Sequence, residues 1–392
     1  MAAPARTPVR TLLVTGTGGA GVTTVAASTA ATAARAGART VLLTADRTAA
    51  ADPVPGLRVV RVDAAESFRA GAQELQGRIG SLLSLLGAPP LDPEELTELP
   101  GAGAFALLRA LRQANVTSEG TAYPAPWDLV VVDLPPVREA VALLALPEQL
   151  RRYLGRLLPA DRQAARALRP VLAQLAGVPM PTEWAYEAAA RADRELASVQ
   201  AVIEDPGTAV TVVLEPGLSA GQALRTARTG LALYGNRLAE VVANRLLPTG
   251  SADPFLSALS GHQQAHLKAL ADQCAADSVP LRELPHLGGA PLAADEPPVA
   301  VPAAARRAPE PWSVEDRLAD DGWFLWSLPL PGATRDGLDL VRRGDELVVD
   351  AGGFRRIVPL PSALRRCTVA GAALREETLR VRFAPDPDLW PR

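Results

Sequence analysis

The chain of 392 residues is longer than one hydrophobic core usually supports, which predicts more than one domain. A net charge of −3 offers no basic field for nucleic acid, and two cysteines far apart in sequence, Cys274 and Cys367, do not suggest a zinc or iron–sulfur site. No signal-peptide pattern and no run of about 18 apolar residues appears, so we expect a cytoplasmic protein without an integral membrane segment.

A glycine-rich turn joins the first predicted strand, Arg10 to Thr15, to a helix of small residues that ends near Gly37. In loops of this type, main-chain N–H groups bind a phosphate, a lysine neutralises its charge, and the next hydroxyl holds Mg²⁺. Thr23 stands at the hydroxyl position, and Val22 stands where the motif has lysine. The candidate phosphate-binding residues are Gly16, Thr17, Gly18, Gly19, Ala20, Gly21, Val22, Thr23 and Thr24.

This loop resembles that of the arsenite-transporting ATPase (ArsA) family and its relatives that deliver tail-anchored membrane proteins. The family loop reads G-K-G-G-V-G-K-T-T, and both of its lysine positions differ here, as Thr17 and Val22. A hydrogen bond to a charged group contributes about 1.5–3 kcal/mol, and removing one transition-state donor costs about 10²–10³ in rate. We therefore expect weak binding of ATP or ADP with Mg²⁺, if any, and very slow or absent hydrolysis.

The next predicted strand, Thr40 to Thr44, is followed directly by Asp46 at the carboxyl edge of the sheet. The resemblance implies a catalytic role for Asp46, as the switch I aspartate that positions the attacking water. A helix N-cap is an alternative role for the same residue. A third strand, Leu57 to Asp63, precedes an amphipathic helix, and the turn Leu99-Pro100-Gly101 precedes another.

The segment Trp127 to Asp133 contains four consecutive apolar residues and ends in a carboxylate, which predicts a strand buried on both faces. The resemblance implies that Asp133 is the Walker B-like residue, which binds Mg²⁺ together with Thr23 when nucleotide is present. The family switch reads D-T-A-P-T-G-H-T, and its first residue aligns with Asp133. In this chain Asp133 and Pro136 match the switch, whereas its glycine, histidine and hydroxyl residues are replaced. Arg47 or Arg138 could supply the missing cation.

The sequence from Val141 to Ile203 is helical in pattern. The resemblance implies a helical subdomain, at about 64–115 and 139–205, whose groove binds hydrophobic client helices across a dimer. Core packing is the alternative explanation for most of its leucines.

The second half returns to alternating strands and helices, with strands predicted at Thr208 to Leu214, Glu240 to Asn244 and Val279 to Leu284. A helix from Ser219 to Tyr234 lies between the first two. Asn244 aligns with a family V-N-R segment, which implies a contact with adenine. The predicted fold of residues 1–288 is an α/β parallel sheet of the P-loop NTPase type with a helical insertion.

A Pro- and Ala-rich stretch, residues 289–320, predicts an extended linker. Residues 321–392 then change to a period of two with glycine-containing turns, which predicts a small all-β sandwich. This region resembles the α-crystallin domain of small heat-shock proteins. Two roles stay open for this domain. It could be a module that only adds stability, or a surface that binds unfolded or hydrophobic segments.

The resemblance implies a homodimer, or a heterodimer with an intact family member that supplies a lysine. The favoured hypothesis is a nucleotide-linked switch, a pseudo-ATPase that handles hydrophobic or membrane-protein segments. The alternative is a non-enzymatic chaperone-like holdase or adaptor that uses the NTPase fold as a scaffold. A chromosome- or septum-positioning ATPase is disfavoured, because neither a basic DNA face nor an amphipathic membrane helix is visible.

Overall fold

The computed structural model describes residues 9–46, 54–85, 91–115, 127–158, 183–288, 299, 301 and 311–389. The chain divides into two compact units. The first unit comprises Met1–Val62, Ala122–Val141 and Pro206–Arg392, and the second comprises Asp63–Thr121 and Ala142–Asp205.

The first unit is built on a seven-stranded parallel sheet, which confirms the predicted fold class. Its strands are β1 (Arg10–Gly16), β2 (Thr40–Thr44), β3 (Leu57–Arg61), β4 (Leu129–Asp133), β5 (Thr208–Leu214), β6 (Leu238–Leu246) and β7 (Leu281–Pro285). They lie in the order β3-β2-β4-β1-β5-β6-β7. The central strands β2, β4 and β5 are buried along their whole length, as expected for continuous apolar runs in a parallel sheet.

The longer helices are α1 (Val22–Arg35), α2 (Ala64–Leu85), α3 (Ala102–Asn115), α4 (Val137–Leu157), α5 (Glu183–Ile203), α6 (Ala220–Tyr234) and α7 (Pro254–Ala276). Short helical turns follow at α8 (Leu318–Asp321) and α9 (Ser362–Arg365). The alanine- and threonine-rich α1 packs closely on the sheet because its side chains are small. No helix within the described residues has an apolar run that could cross a bilayer.

The second unit is helical and contains α2, α3, the later turns of α4, and α5. The unit boundary falls inside α4, after Val141. The amphipathic helix after Asp63 is predicted to carry an apolar stripe of Leu75, Ile79, Leu82, Leu83 and Leu86, whose side chains lie outside those described. The same holds for the apolar set predicted at Leu168, Val171, Leu172 and Leu175.

The C-terminal region forms two antiparallel sheets, as the period of two predicts. The strands are β8 (Ser313–Arg317), β9 (Trp323–Pro329), β10 (Leu338–Arg343), β11 (Glu346–Ala351), β12 (Phe354–Pro359), β13 (Cys367–Arg375) and β14 (Thr378–Pro385). They are arranged as β13-β14-β9-β8 and β10-β11-β12. The sequence did not predict β8, because four of its five residues are exposed and it shows no alternation of apolar and polar residues.

Between β7 and the C-terminal domain, the described residues Val299 and Val301 return to the sheet core. Val299 is fully buried in the cluster that contains Leu12 and Val25, and Val301 packs against the same cluster. Composition alone predicted an extended linker here, since a single valine pair among prolines and alanines carries no periodic signal.

The C-terminal domain is fastened to helix α6, which packs on the parallel sheet. The buried Arg228 guanidinium pairs with Asp277 and, at 3.1 Å, with Glu377 in the turn between β13 and β14. The Tyr234 hydroxyl donates to the Arg355 carbonyl at 2.8 Å, and Arg356 donates to the Leu233 carbonyl at 2.9 Å. Helix α6 therefore has partners both on its own domain and on the C-terminal domain.

Replacing Arg228 by Ala is expected to lower the free energy of unfolding by about 2–4 kcal/mol, because two carboxylates then lose their buried cation. Urea denaturation of the full chain measures the change. Arg225→Ala, an exposed arginine on the same helix, is the matched control and is expected to change the free energy by less than about 0.5 kcal/mol. Equal losses of unfolding free energy in the two variants would refute the role of Arg228 in fastening the C-terminal domain to α6.

Candidate functional site

The glycine-rich loop leaves the carboxyl end of the central strand β1 and enters α1. Gly16 is required by a close approach of backbone, because a Cβ atom at this residue would lie 1.9 Å from the carbonyl oxygen of Val213 on β5. Gly21 caps α1 with a left-handed φ of 87°, a conformation that favours glycine. The loop geometry is thus set by the two neighbouring strands and by the helix that follows.

The amide end of α1 is open to an anion. No side chain caps the helix, and its first turn contains no acidic residue. Thr17 and Ala20 use their amides within the fold, on the carbonyls of Val213 and Thr17. Within the described part of the chain, no acceptor takes the amides of Gly18, Gly19 or Val22. An uncapped helix N-terminus with free amides attracts negative charge.

Val22 places an apolar side chain at the position where the motif has a lysine. It is half-buried and packs against the core cluster of the sheet. Its Cγ2 atom lies 2.9 Å from the place where a Cβ on Gly16 would be. The side chain therefore packs beneath the loop, and neither it nor Thr17 adds positive charge.

Asp133 accepts two hydrogen bonds at the end of β4, next to the loop. The Thr23 hydroxyl, in the first turn of α1, donates to its Oδ2 atom at 2.9 Å, and the Thr44 hydroxyl at the end of β2 donates to the same atom at 2.8 Å. Burial raises the pKa of Asp133, although the two hydroxyl donors lower it and the charge of Asp46 raises it further. The structure thus brings the predicted magnesium pair, Thr23 and Asp133, into direct contact.

Asp46 lies at the same edge of the sheet. Its backbone amide donates to the Thr44 hydroxyl at 3.0 Å, and its charge acts on Asp133. Two carboxylates and two threonine hydroxyls from β2, β4 and α1 therefore meet at one edge, and hard oxygen ligands of this kind suit Mg²⁺. The catalytic and metal roles of these residues stay predictions. Arg47 lies outside the described residues.

Asn244 touches the loop itself. Its side-chain Nδ2 donates to the carbonyl oxygen of Ala20 at 2.7 Å, and a Cβ atom on Gly21 would lie 2.7 Å from the same nitrogen. This contact holds the left-handed turn before α1. The adenine contact that the resemblance implies stays a prediction, whereas a loop-positioning role is what the observed hydrogen bond provides.

Arg138, one of the two candidate cations, contacts the C-terminal domain. Its guanidinium carbon lies 5.3 Å from the centroid of the Phe354 ring. The segment between Asp133 and Arg138 is tied to β1: Leu134 donates its amide to the Val14 carbonyl at 2.8 Å, and the Thr15 hydroxyl donates to the Pro135 carbonyl at 2.6 Å. Sequence reasoning did not single out Thr15 or Thr44, although each is a polar residue at or near the carboxyl end of a buried strand.

Comparisons with known proteins place most of the chain in two family models. The model of the anion-transporting ATPase family matches residues 9–287, and the model of an HSP20-like domain found in ArsA matches residues 321–383. An uncharacterized protein of Streptomyces coelicolor is 55% identical over 98% of this chain and 100% of its own length. A protein of Mycobacterium tuberculosis is 30% identical over 97% of each chain. An Aquifex aeolicus protein named "Putative arsenical pump-driving ATPase 1" is 23% identical over 95% of this chain and 99% of its own length.

The raised pKa of Asp133 predicts that Asp133→Asn stabilises the protein at neutral pH. The folded state disfavours the ionised carboxyl, so removing its charge is expected to raise the melting temperature by a few degrees. The gain is expected to shrink as the pH falls through the raised folded-state pKa of Asp133, and to vanish below about 3.9, the pKa of an unperturbed Asp, where the carboxyl is protonated in both states. Calorimetric melting between about pH 4 and pH 8 measures this dependence.

Asp128→Asn, at the opposite end of β4, provides a control with the opposite sign. The hydrogen bond from Arg39 lowers the pKa of Asp128, so its ionised form stabilises the fold at neutral pH and this contribution is lost as the pH falls through the folded-state pKa. This variant is expected to melt at a lower temperature near pH 7. A destabilised Asp133→Asn protein at that pH would contradict the prediction.

Proposed function

This chain belongs to the anion-transporting ATPase family, and we propose that it is a nucleotide-linked switch, a pseudo-ATPase, that handles hydrophobic segments. It binds ATP or ADP with Mg²⁺ weakly and hydrolyses ATP very slowly or not at all. The observation that carries the proposal is a loop whose α1 amides are open to phosphate while its two lysine positions hold Thr17 and Val22.

Binding without a lysine depends on the backbone and on the metal. The N–H groups at the start of α1 point out of the helix and carry partial positive charge, and both features favour binding of phosphate oxygens. Asp133 and Thr23 already touch, which is the arrangement that a Mg²⁺ ion bound with the nucleotide would use. Among the described residues, the charged side chains shown to interact at this edge are Asp46 and Asp133, so Mg²⁺ would itself bring the positive charge that phosphate needs.

Hydrolysis requires positive charge where the transition state gains negative charge. Removing one positioned donor costs about 10²–10³ in rate, and this loop lacks two. Arg138 cannot repair the loss while its guanidinium lies on Phe354. We also propose a dimer, either of this chain with itself or with an intact family member. Of the two, the intact family member would supply a loop lysine, since both loop positions here lack one.

Handling of hydrophobic segments is supported by the helical second unit. Large apolar side chains there are more than half exposed, namely Leu91, Leu99, Phe105, Tyr153 and Leu157. Exposed apolar patches mark binding surfaces for proteins or membranes. The proposed clients are apolar helices of other proteins, and the proposed site of action is the cytoplasm.

The same exposed side chains also favour the second candidate, a holdase or adaptor without nucleotide chemistry. The two proposals differ in nucleotide affinity. A dissociation constant for Mg-ADP above about 1 mM would support the holdase or adaptor, in which the NTPase fold is only a scaffold. Arsenite transport is not proposed, because the two thiols lie on different domains, Cys274 on α7 and Cys367 on β13, and both are buried.

Restoring both lysines tests the loop. The double variant Thr17→Lys with Val22→Lys is expected to bind Mg-ATP about tenfold more tightly or better, since each charged hydrogen bond contributes about 1.5–3 kcal/mol. It is also expected to release phosphate at a measurable rate. Titration calorimetry and a phosphate-release assay on the full chain measure the two effects.

The matched control is the same double variant with Asp133→Asn, which keeps the new lysines and removes the carboxylate expected to hold Mg²⁺. Its turnover is expected to return to background. If the lysine variant binds no nucleotide, the switch proposal fails and the scaffold remains.

Capture of apolar helices is expected to depend on the second unit. Phe105→Glu, at a side chain 52% exposed on α3, is expected to weaken binding of a fluorescent transmembrane-type peptide about tenfold, because burying a Phe contributes about 1.5–3 kcal/mol. Fluorescence anisotropy measures the affinity. Leu218→Glu is the control, since this 94% exposed leucine belongs to the other unit and is expected to change affinity less than about twofold. Equal weakening of peptide binding by both variants would contradict the proposal that the second unit binds apolar helices.

A further inference from the structure

The segment that follows Asp133 ends against the C-terminal domain. Arg138, in the first turn of α4, places its guanidinium carbon 5.3 Å from the centroid of Phe354, the first residue of β12. The ring is only 6% exposed. A Cβ atom on Gly353 would lie 3.0 Å from Nη1 of Arg138, so the guanidinium also covers the backbone of this turn.

Helix α6 forms the third side of this junction. A Cβ atom on Gly230 would lie 2.7 Å from the Phe354 ring and 2.8 Å from a methyl group of Val141. The missing side chain lets the β11–β12 turn and the start of α4 pack on the same point of α6. Since Tyr234 and Arg356 bond α6 to the C-terminal domain one turn later, the junction has a fixed base.

The connection from Asp133 to this junction is short and stiff. Leu134 and Pro135 are bonded to β1 through the Val14 carbonyl and the Thr15 hydroxyl. Two consecutive prolines, Pro135 and Pro136, fix their φ angles and remove two soft rotations from the segment. Few soft backbone rotations therefore separate Asp133 from Arg138.

From these contacts we infer that Arg138 and Phe354 are positioning residues, through which the C-terminal domain holds the switch segment after Asp133 in place. The part of this inference that concerns ligand affinity rests on the proposed nucleotide binding. Because binding linkage is reciprocal, a nucleotide that orders Asp133 also strengthens the hold on the β11–β12 turn. The C-terminal domain thereby senses the state of the nucleotide site.

The first experiment needs no ligand. Hydrogen exchange of the full chain is followed in the peptide 133–141, where the amides of Leu134 and Ala140 are bonded to Val14 and Pro136. Arg138→Ala is expected to speed this exchange about three- to tenfold, the range that loss of one cation–π contact allows. Arg138→Lys keeps a cation over the ring and is expected to restore slow exchange.

Arg355→Ala is the matched control in this experiment. This exposed arginine is next to Phe354 and pairs with Asp350 within the C-terminal domain. It is expected to leave exchange in peptide 133–141 at the wild-type rate. An unchanged rate in Arg138→Ala, or an equal rise in Arg355→Ala, would overturn the inference.

The second experiment measures Mg-ADP affinity by titration calorimetry. Phe354→Leu is expected to raise the dissociation constant about three- to tenfold, whereas Phe324→Leu, a ring of the same 6% exposure on β9, is expected to leave it unchanged. Equal constants for the wild type and Phe354→Leu would overturn the coupling to the ligand. If the wild type binds no Mg-ADP, the proposed nucleotide binding fails, and the exchange experiment still decides whether Arg138 positions the segment.

Discussion

The carboxylate of Asp133 is the point on which the candidate site at the carboxyl edge of the sheet depends. It accepts hydrogen bonds from Thr23 of α1 and Thr44 of β2, so one buried side chain joins two strands, β4 and β2, and a helix. A buried carboxylate is unfavourable unless it is hydrogen-bonded, and its raised pKa shows that two hydroxyls offset only part of that cost. A bound cation would remove the rest. The loop next to this carboxylate has no positive side chain at the two positions where the family motif has lysine, Thr17 and Val22.

This balance explains how a loop without lysine can remain in the fold. The close approach of Gly16 to Val213, the left-handed Gly21 and the Asn244 hydrogen bond to Ala20 all concern backbone geometry, and none depends on a cation. Val22 is half-buried and packs against the core cluster, so the position contributes packing and no charge to the loop. Loop shape and loop charge are therefore separable, and here the shape is kept while the charge is changed.

Helix α4 and helix α6 give the nucleotide edge its connections to the rest of the chain. Helix α6 is clamped to the C-terminal domain by Arg228 and Tyr234. Helix α4 begins at the segment after Asp133 and continues into the helical unit, where its exposed residues Tyr153 and Leu157 lie. One continuous helix therefore belongs both to the nucleotide domain and to the unit proposed to bind apolar segments. Its first turn is also the place where the C-terminal domain makes contact.

The amino-acid sequence by itself determined the parallel sheet, the glycine-rich loop, the two altered lysine positions and the β-rich C-terminal region, because each leaves a local signal in periodicity, glycine spacing or side-chain charge. Only the tertiary structure decided that Val299 returns to the core, that Thr44 and Thr23 share Asp133, and that Arg138 lies on Phe354. These contacts join residues that are distant in sequence. Their partners are chosen by strand order and by the docking of two domains, and no pattern within a single segment carries that information.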